Sequence, residues 1–253
     1  MKRLLLTIAL TISPILAQEA DWNGDCELNI IDIVEIVGCV LDDCWMPPPE
    51  CNDIFGTVTD IDGNIYNTVI IGNQEWMVEN LKTTHYRNLD EIPTGFSNSE
   101  WFNLSSGAYS VYENIESNAY IYGYLYNGYA VSDGRNIAPE GWHVPNEEDW
   151  YELVDFLGGS AIAGEKLKEE GTEHWFPPNI ATNESGFTAL PGGYRSFYNN
   201  GNYSEIGISC YFWSSSQFDN DHKWNRFLGQ NVDICLQCYA NNKNGLSVRC
   251  IKD

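Results

Sequence analysis

The chain has 253 residues and carries 36 Asp plus Glu against 13 Lys plus Arg, a formal charge of −23 at pH 7. So acidic a surface makes nucleic acid and anionic lipid poor partners. Most of these carboxylates are expected to keep the protein soluble, and where several converge they supply ligands for a hard cation.

The chain opens Met1-Lys2-Arg3, continues through an apolar run from Leu4 to Ile12, and reaches Ser13-Pro14-Ile15-Leu16-Ala17. That is the layout of a signal peptide over residues 1–17, cleaved after Ala17, so a secreted or extracytoplasmic, cell-surface location is expected. The run falls short of the roughly 20 apolar residues that a membrane span needs, and no later stretch approaches that length. No cysteine follows the cleavage region directly, which argues against a lipid anchor.

Residues 18–45 hold the clearest chemical motif. Asp21, Asn23, Asp25, Asn29 and Asp32 place oxygen side chains at loop positions one, three, five, nine and twelve, and Glu27 at position seven offers its backbone carbonyl. This is the spacing by which a turning backbone encloses calcium. Ile30, Ile31, Ile33, Val34, Ile36 and Val37 follow as the apolar face of a helix. The segment resembles a dockerin repeat, which implies a calcium loop and helix that could engage a protein partner through residues 18–45. Two features depart from that pattern. Cys26 stands where the turn normally has glycine, and a second repeat, which docking onto a cohesin normally requires, is absent, because Leu41-Asp42-Asp43-Cys44-Trp45 runs straight into Pro47-Pro48-Pro49. Residues 46–51 read as an extended proline-rich linker.

The eight cysteines fall into two groups of four, Cys26, Cys39, Cys44, Cys51 and then Cys210, Cys235, Cys238, Cys250. In an exported protein this predicts disulfides within each group, with three connectivities open for four cysteines. A zinc site at Cys235 and Cys238 would need two further ligands.

The body, residues 52–253, is large enough to bury its own core. Asn146 caps a predicted helix that begins Glu147-Glu148-Asp149, carries Trp150, Leu153, Val154 and Leu157 at helical spacing, and stops at Gly158-Gly159. A second helix is expected from Ser160 to Glu169. Strands are expected at Thr57–Thr59, Tyr66–Ile71, Gln74–Val78, Gly186–Leu190, Cys210–Ser215, Trp224–Leu228 and Leu246–Ile251. The fold class is therefore α+β. Asp60, Asp62 and Asn64 imitate a second calcium loop, but position twelve would be Ile71, so a hairpin turn is the expectation.

Several body motifs stand in a recognisable order. They are Val58 through Lys82 with Gly72-Asn73-Gln74-Glu75-Trp76, Tyr122-Gly123-Tyr124, Ala138-Pro139-Glu140-Gly141-Trp142-His143-Val144-Pro145, Gly186-Phe187-Thr188-Ala189-Leu190-Pro191-Gly192-Gly193-Tyr194-Arg195, Phe212-Trp213-Ser214-Ser215 and Gly245-Leu246-Ser247-Val248-Arg249-Cys250. From Val58 to Cys250 the chain resembles the Fibrobacter succinogenes major paralogous domain family. The resemblance implies a C-type-lectin-like fold, with two helices on a twisted, loop-rich antiparallel sheet whose first and last strands meet; it implies no reaction. Trp76, Trp142, Trp150 and Trp213 read as core or corner residues.

No Gly-x-Ser-x-Gly elbow, His-Glu-x-x-His, phosphate loop or dinucleotide fingerprint occurs, so the expectation is a non-catalytic protein. His85, His143, His174 and His222 have no partners at metal-ligand spacing, and His143 is expected to be packed. One enzymatic alternative uses Cys235 and Cys238, because formylglycine-generating sulfatase activators share a lectin-like scaffold and a cysteine pair. If the body binds a ligand, the aromatic and polar stretches Tyr194–Tyr203 and Gln217–Trp224 supply the surface. Its candidate residues are Tyr194, Arg195, Tyr198, Tyr203, Asp219, Asp221 and Trp224, and a glycan or cell-envelope component is the ligand class. The alternatives are calcium-dependent assembly through residues 18–45 and an enzyme with an unfamiliar site.

Overall fold

A computed structural model describes residues 56–253. The leader, the calcium loop (Asp21, Asn23, Asp25, Glu27, Asn29 and Asp32), the linker and Cys26, Cys39, Cys44 and Cys51 lie outside the described residues.

The described chain opens as a three-strand meander: β1 (Gly56–Thr59), β2 (Ile65–Ile71) and β3 (Gln74–Met77). β-branched residues fill β2, where Tyr66, Thr68, Val69 and Ile71 turn inward. The β1–β2 connection is the hairpin that Asp-x-Asp-Gly-Asn favours. Asp60 Oδ1 accepts the backbone N–H groups of Asp62 and Asn64 at 3.0 and 2.9 Å, and Gly63 takes φ 82°. Tyr66 donates its hydroxyl to Asp60 Oδ2 at 2.6 Å, so the second carboxylate oxygen is engaged by protein as well.

Short elements follow: α1 (Asn98–Phe102), β4 (Tyr109–Ser110), α2 (Glu116–Tyr122), β5 (Leu125–Asn127), α3 (Gly128–Val131) and β6 (Trp142–His143). The two main helices are α4 (Glu147–Phe156) and α5 (Ser160–Leu167). As expected, Asn146 caps α4, accepting from Glu148 N and Asp149 N while Asp149 reaches back to Asn146 N, a reciprocal capping box. The chain then builds β7 (Gly192–Arg195), β8 (Tyr203–Ile206), β9 (Ser209–Gln217), β10 (His222–Gly229), β11 (Leu236–Asn241), β12 (Gly245–Leu246) and β13 (Ile251–Lys252).

The strands form two sheets, one ordered β1-β2-β3-β13-β6 and one ordered β11-β10-β9-β7-β12-β5-β4 with β8 beside β7. Among the named strands, pairing is antiparallel except at β7–β9. Sheets dominate over few helices, which is the α+β class. The last strand, β13, lies between β3 and β6, pairing Ile251 with Trp76 and His143. It thus meets the third strand of the opening meander and not the first.

Two apolar clusters fill the interior. One gathers Trp76, Trp150, Leu153, Phe187, Phe212 and Leu228 where α4 and α5 meet the sheets, with Trp76 and Trp150 ring centroids 4.9 Å apart. The other holds Tyr66, Tyr126, Trp142, Trp213, Leu246 and Val248. Trp76, Trp142, Trp150 and Trp213 are all buried, the core role expected of them.

Three expectations need correction. Gly186–Leu190 is a loop outside both sheets, with one isolated bridge from Ala189 to Lys168 at the end of α5, because Thr188 sits at φ 53° and breaks the extended run. Leu246–Ile251 is divided into β12 and β13. Residues between them turn inward, and Arg249 is buried there as a hydrogen-bonding centre. Finally, Cys210, Cys235, Cys238 and Cys250 are all free. Cys250 packs in a different apolar cluster from Cys210 and Cys235, while Cys238 follows Cys235 by three residues along an extended segment, a separation of roughly 10 Å that a disulfide does not span.

Candidate functional site

The tip of the β9–β10 hairpin is shaped by backbone hydrogen bonding before any ligand is considered. Phe218 N donates to His222 O at 2.9 Å, and Asp219 Oδ1 accepts from Asp221 N, His222 N and His222 Nδ1 at 2.8 to 2.9 Å. The His222 contact is the main reason the exposed Asp219 carboxyl is held below its ordinary pKa. Deeper in the hairpin the pairing is bulged: Lys223 faces Gln217 and Asn225 faces Trp213, so Ser214, Ser215 and Ser216 stand opposite Trp224 alone. Lys223, buried, donates to the Ser215 carbonyl at 2.9 Å. A bulge of this kind re-aims the side chains beside it.

These constraints present a ridge of rings. Phe218 stacks on Tyr239 of β11 with centroids 4.3 Å apart and planes 8° from parallel, and Trp224 meets Phe218 edge-on at 4.8 Å. His222 stands edge-on to Tyr239 at 5.7 Å. From the loop after β7, Tyr198 places its hydroxyl 3.4 Å from His222 Nε2. Tyr198, Tyr239 and Phe218 are 70%, 55% and 44% exposed; Tyr120, Tyr151, Phe156 and Phe176 are exposed elsewhere, and what sets the ridge apart is that its rings pack on one another.

Below the ridge lies a cleft of about 220 Å³ lined by Tyr194, Tyr198, Tyr211, Asn225, Cys238 and Tyr239. Tyr194 and Tyr211 meet edge-on at 4.9 Å, and burial raises both phenols above their ordinary range, keeping them protonated donors. Asn225 is 1% exposed, and its Oδ1 has no hydrogen-bond partner.

Of the residues chosen from sequence, the structure therefore brings Tyr198, Asp219 and Trp224 to the ridge, with Tyr194 in the cleft. Asp221 is exposed at the same hairpin tip, its carbonyl accepting from Asn242 N at 2.8 Å. Arg195 and Tyr203 belong elsewhere. Arg195 is fully buried, donating to Gly201 O and Phe96 O at 2.9 Å and lying over the rings of Trp101 and Tyr203. Its guanidinium pins the 196–202 loop and offers solvent nothing. Tyr239, Tyr211 and Asn225 are not singled out by sequence. The Leu236–Asn241 strand is a poorly apolar edge strand, and nothing local shows which of its residues a hairpin elsewhere will stack against.

The thiols do not form a reactive pair. Burial pushes Cys235 up to about 12 and holds Cys238 above its ordinary value, so both are protonated at neutral pH. Each histidine touches a carboxylate: His85 with Asp62, His143 with Asp149 and Asp253, His174 with Glu169, and His222 with Asp219. His143 is thus a half-exposed link between α4 and the C-terminus, and not a packed core residue. Glu169, Glu173 and His174 bring three donor atoms within 4.8 Å of one another, a set whose imidazole suits a transition metal better than calcium.

A family model described as the Fibrobacter succinogenes major domain matches residues 69–252. The chain belongs to this family. No curated protein and no solved structure matches it. The geometry ties several of this chain's landmark segments together. Arg249 donates to Asn80 Oδ1 and to the Phe187 carbonyl, Trp213 Nε1 donates to Tyr126 O at 2.7 Å, and Arg87 holds the carbonyls of Ala138, Pro139 and Trp142. Those landmarks assemble the scaffold, while the ridge lies on the segments between and beside them.

Proposed function

We propose that this protein is an exported, non-catalytic binding protein of the cell surface or its surroundings that recognises glycans or other envelope components through the Tyr198–Phe218–His222–Trp224–Tyr239 ridge. The observation that carries the reading is the exposure of stacked rings beside Asp219 and Asp221. The C–H face of a pyranose is apolar and partially positive and suits a ring face, while its hydroxyls donate to flanking carboxylates. A C-type-lectin-like body is the fold reading that goes with this function, supported by two helices on a strand-rich core and by a last strand returning to the opening meander. We also propose that Asp21, Asn23, Asp25, Glu27, Asn29 and Asp32 hold one calcium ion, on the strength of their donor spacing. The Cys235 and Cys238 thiols, both held protonated at neutral pH, count against the enzyme reading that would use them as a reactive pair.

The second reading is calcium-dependent assembly, in which residues 18–45 capture a protein partner and the body is a structural unit. A glycan array probed with the mature chain, with and without chelator, separates the two. Saturable binding that free sugar competes away and Tyr198→Ala/Tyr239→Ala abolishes supports the ridge. Array binding unchanged by that double substitution, or none at any concentration, overturns it. Calorimetry completes the test: one calcium per chain, lost in Asp25→Ala and Asp32→Ala, is expected.

A further inference from the structure

The cleft beneath the ridge contains a polar group that the protein itself leaves unsatisfied. Asn225 is 1% exposed and its Oδ1 has no partner, and a buried amide acceptor without one is destabilising. Nine buried side-chain polar atoms lack a partner among the described residues, and Asn225 is the one of those residues that lines this cleft, where a ligand or a bound water can complete its bonding. Asn225 shares a sheet face with its direct cross-strand partners Trp213 and Cys238. Trp213 Nε1 is already committed to Tyr126 O, so it cannot serve the amide. Asn225 stands at the register shift and lines the cleft.

The surroundings restrict what could enter. The volume, about 220 Å³, is below the roughly 300 to 1,000 Å³ of sites for drug-sized ligands, so the cleft admits a single small ring. Tyr194, Tyr198 and Tyr211 give it aromatic walls. An orphan acceptor requires a donor, and a hydroxyl satisfies either end of the amide. The adjoining charges are mostly negative: Glu205 accepts the Tyr211 hydroxyl at 3.1 Å, and Asp219 holds His222. The nearby cation Lys243 is tied to Phe102 O and lies over the Phe102 and Phe197 rings. Anionic sugars are disfavoured by this balance.

We propose that this cleft is a monosaccharide subsite, in which one neutral pyranose residue packs on a tyrosine wall and donates a hydroxyl to Asn225 Oδ1. This rests on the glycan-binding reading of the ridge and adds to it a specificity determinant: the ridge takes the chain of the glycan, and the cleft takes one sugar unit. The half-buried Cys238 thiol lines the same cleft, so an occupant would shield it.

The test uses the mature chain and the methyl glycosides of glucose, galactose, mannose and N-acetylglucosamine as probes. Binding is followed by saturation-transfer NMR, and iodoacetamide labelling of Cys238 is followed by peptide mass spectrometry. At least one glycoside is expected to bind and to slow Cys238 alkylation several-fold. Asn225→Leu, which removes the orphan acceptor at similar volume, is expected to weaken that glycoside at least 10-fold while leaving the melting temperature equal or higher. Affinity unchanged in Asn225→Leu, or binding without protection of Cys238, overturns the subsite while leaving the ridge standing. Oligosaccharide binding that Tyr198→Ala/Tyr239→Ala abolishes, with no glycoside protecting Cys238, likewise overturns the subsite alone. Loss of all carbohydrate binding in the parent chain overturns the glycan reading itself.

Discussion

Arg249 places Nη2 2.7 Å and Nε 3.2 Å from a single atom, Asn80 Oδ1, and both residues are buried. Asn80 is itself oriented by donating to Tyr122 O at 2.8 Å, and Arg249 lies over the rings of Phe187 and Phe212. A guanidinium from the C-terminal segment therefore ties together the stretch after β3, the end of α2 and the 186–190 loop. Burial depresses its pKa below the ordinary arginine value, and the Glu79 carboxylate offsets only part of that effect.

Removing the acceptor should accordingly be costly. Asn80→Ala leaves a buried cation short of its partner, and a loss of roughly 3 kcal/mol is expected. Asn80→Asp keeps an acceptor for Arg249 but gives up the donor to Tyr122 O, so its loss should be smaller. Urea denaturation of the two variants checks the order, and equal losses would show that the bond to Arg249 matters less than the one to Tyr122.

Lys223 gives a pH dependence with a definite sign. Burial lowers its pKa from 10.5 to about 8. Between those values the unfolded chain binds more protons than the folded one, so stability rises with pH across that window; below about 8 the full penalty is present. At about 1.4 kcal/mol per pH unit the complete effect is on the order of 3 kcal/mol. Tyr66 and Tyr126, raised by burial, act oppositely once unfolded tyrosines ionise near 10. The buried thiols, also raised, oppose the lysine from about pH 8.5, and they do so in parent and variant alike. The stability of the parent relative to Lys223→Met, read from denaturation midpoints, should therefore climb from about pH 8 to 9.5, and a difference that stays flat with pH would show that Lys223 keeps its ordinary pKa.

Gly193 is expected to tolerate no side chain. It sits at φ 62°, and a Cβ there would overlap the Ser204 carbonyl oxygen and come within 2.8 Å of Ile206 N, both backbone atoms of the paired strand β8. Gly193→Ala should lose on the order of 3 kcal/mol or fail to accumulate. Gly192→Ala, whose Cβ would lie 3.2 Å from the Tyr122 side chain, should lose less. Comparing soluble yield and melting temperature of the pair separates backbone strain from a general dislike of bulk at this turn.

Where a signal was local, the sequence was sufficient. The Asn146 cap, the acidic first turn and the Gly158-Gly159 stop define α4, and Asp60 through Asn64 define a hairpin turn, because each satisfies its own backbone hydrogen bonds within a few residues. The same holds for β2, β9 and β10, whose β-branched and aromatic runs suit a pleated sheet. The short elements α2, β7 and β8 carried no such signal, and distant side chains hold their surroundings, as Arg195 does for the loop after β7; α1 and α3 do have local caps, Ser97 with Glu100 and Asn127, but each is too short for helical periodicity to show.

The site divides along the same line. Composition marked the 194–203 and 217–224 stretches as rich in rings and polar groups, and Tyr198, Asp219 and Trp224 do stand at the ridge. Nothing in the sequence separated Tyr198 from Arg195, three residues earlier, yet one is 70% exposed and the other fully buried. Nor did it join Tyr239 to Phe218, twenty-one residues away, at 4.3 Å. A residue type records what a side chain can do, and only the packing of strands remote in the chain decides which ones face solvent and which rings meet.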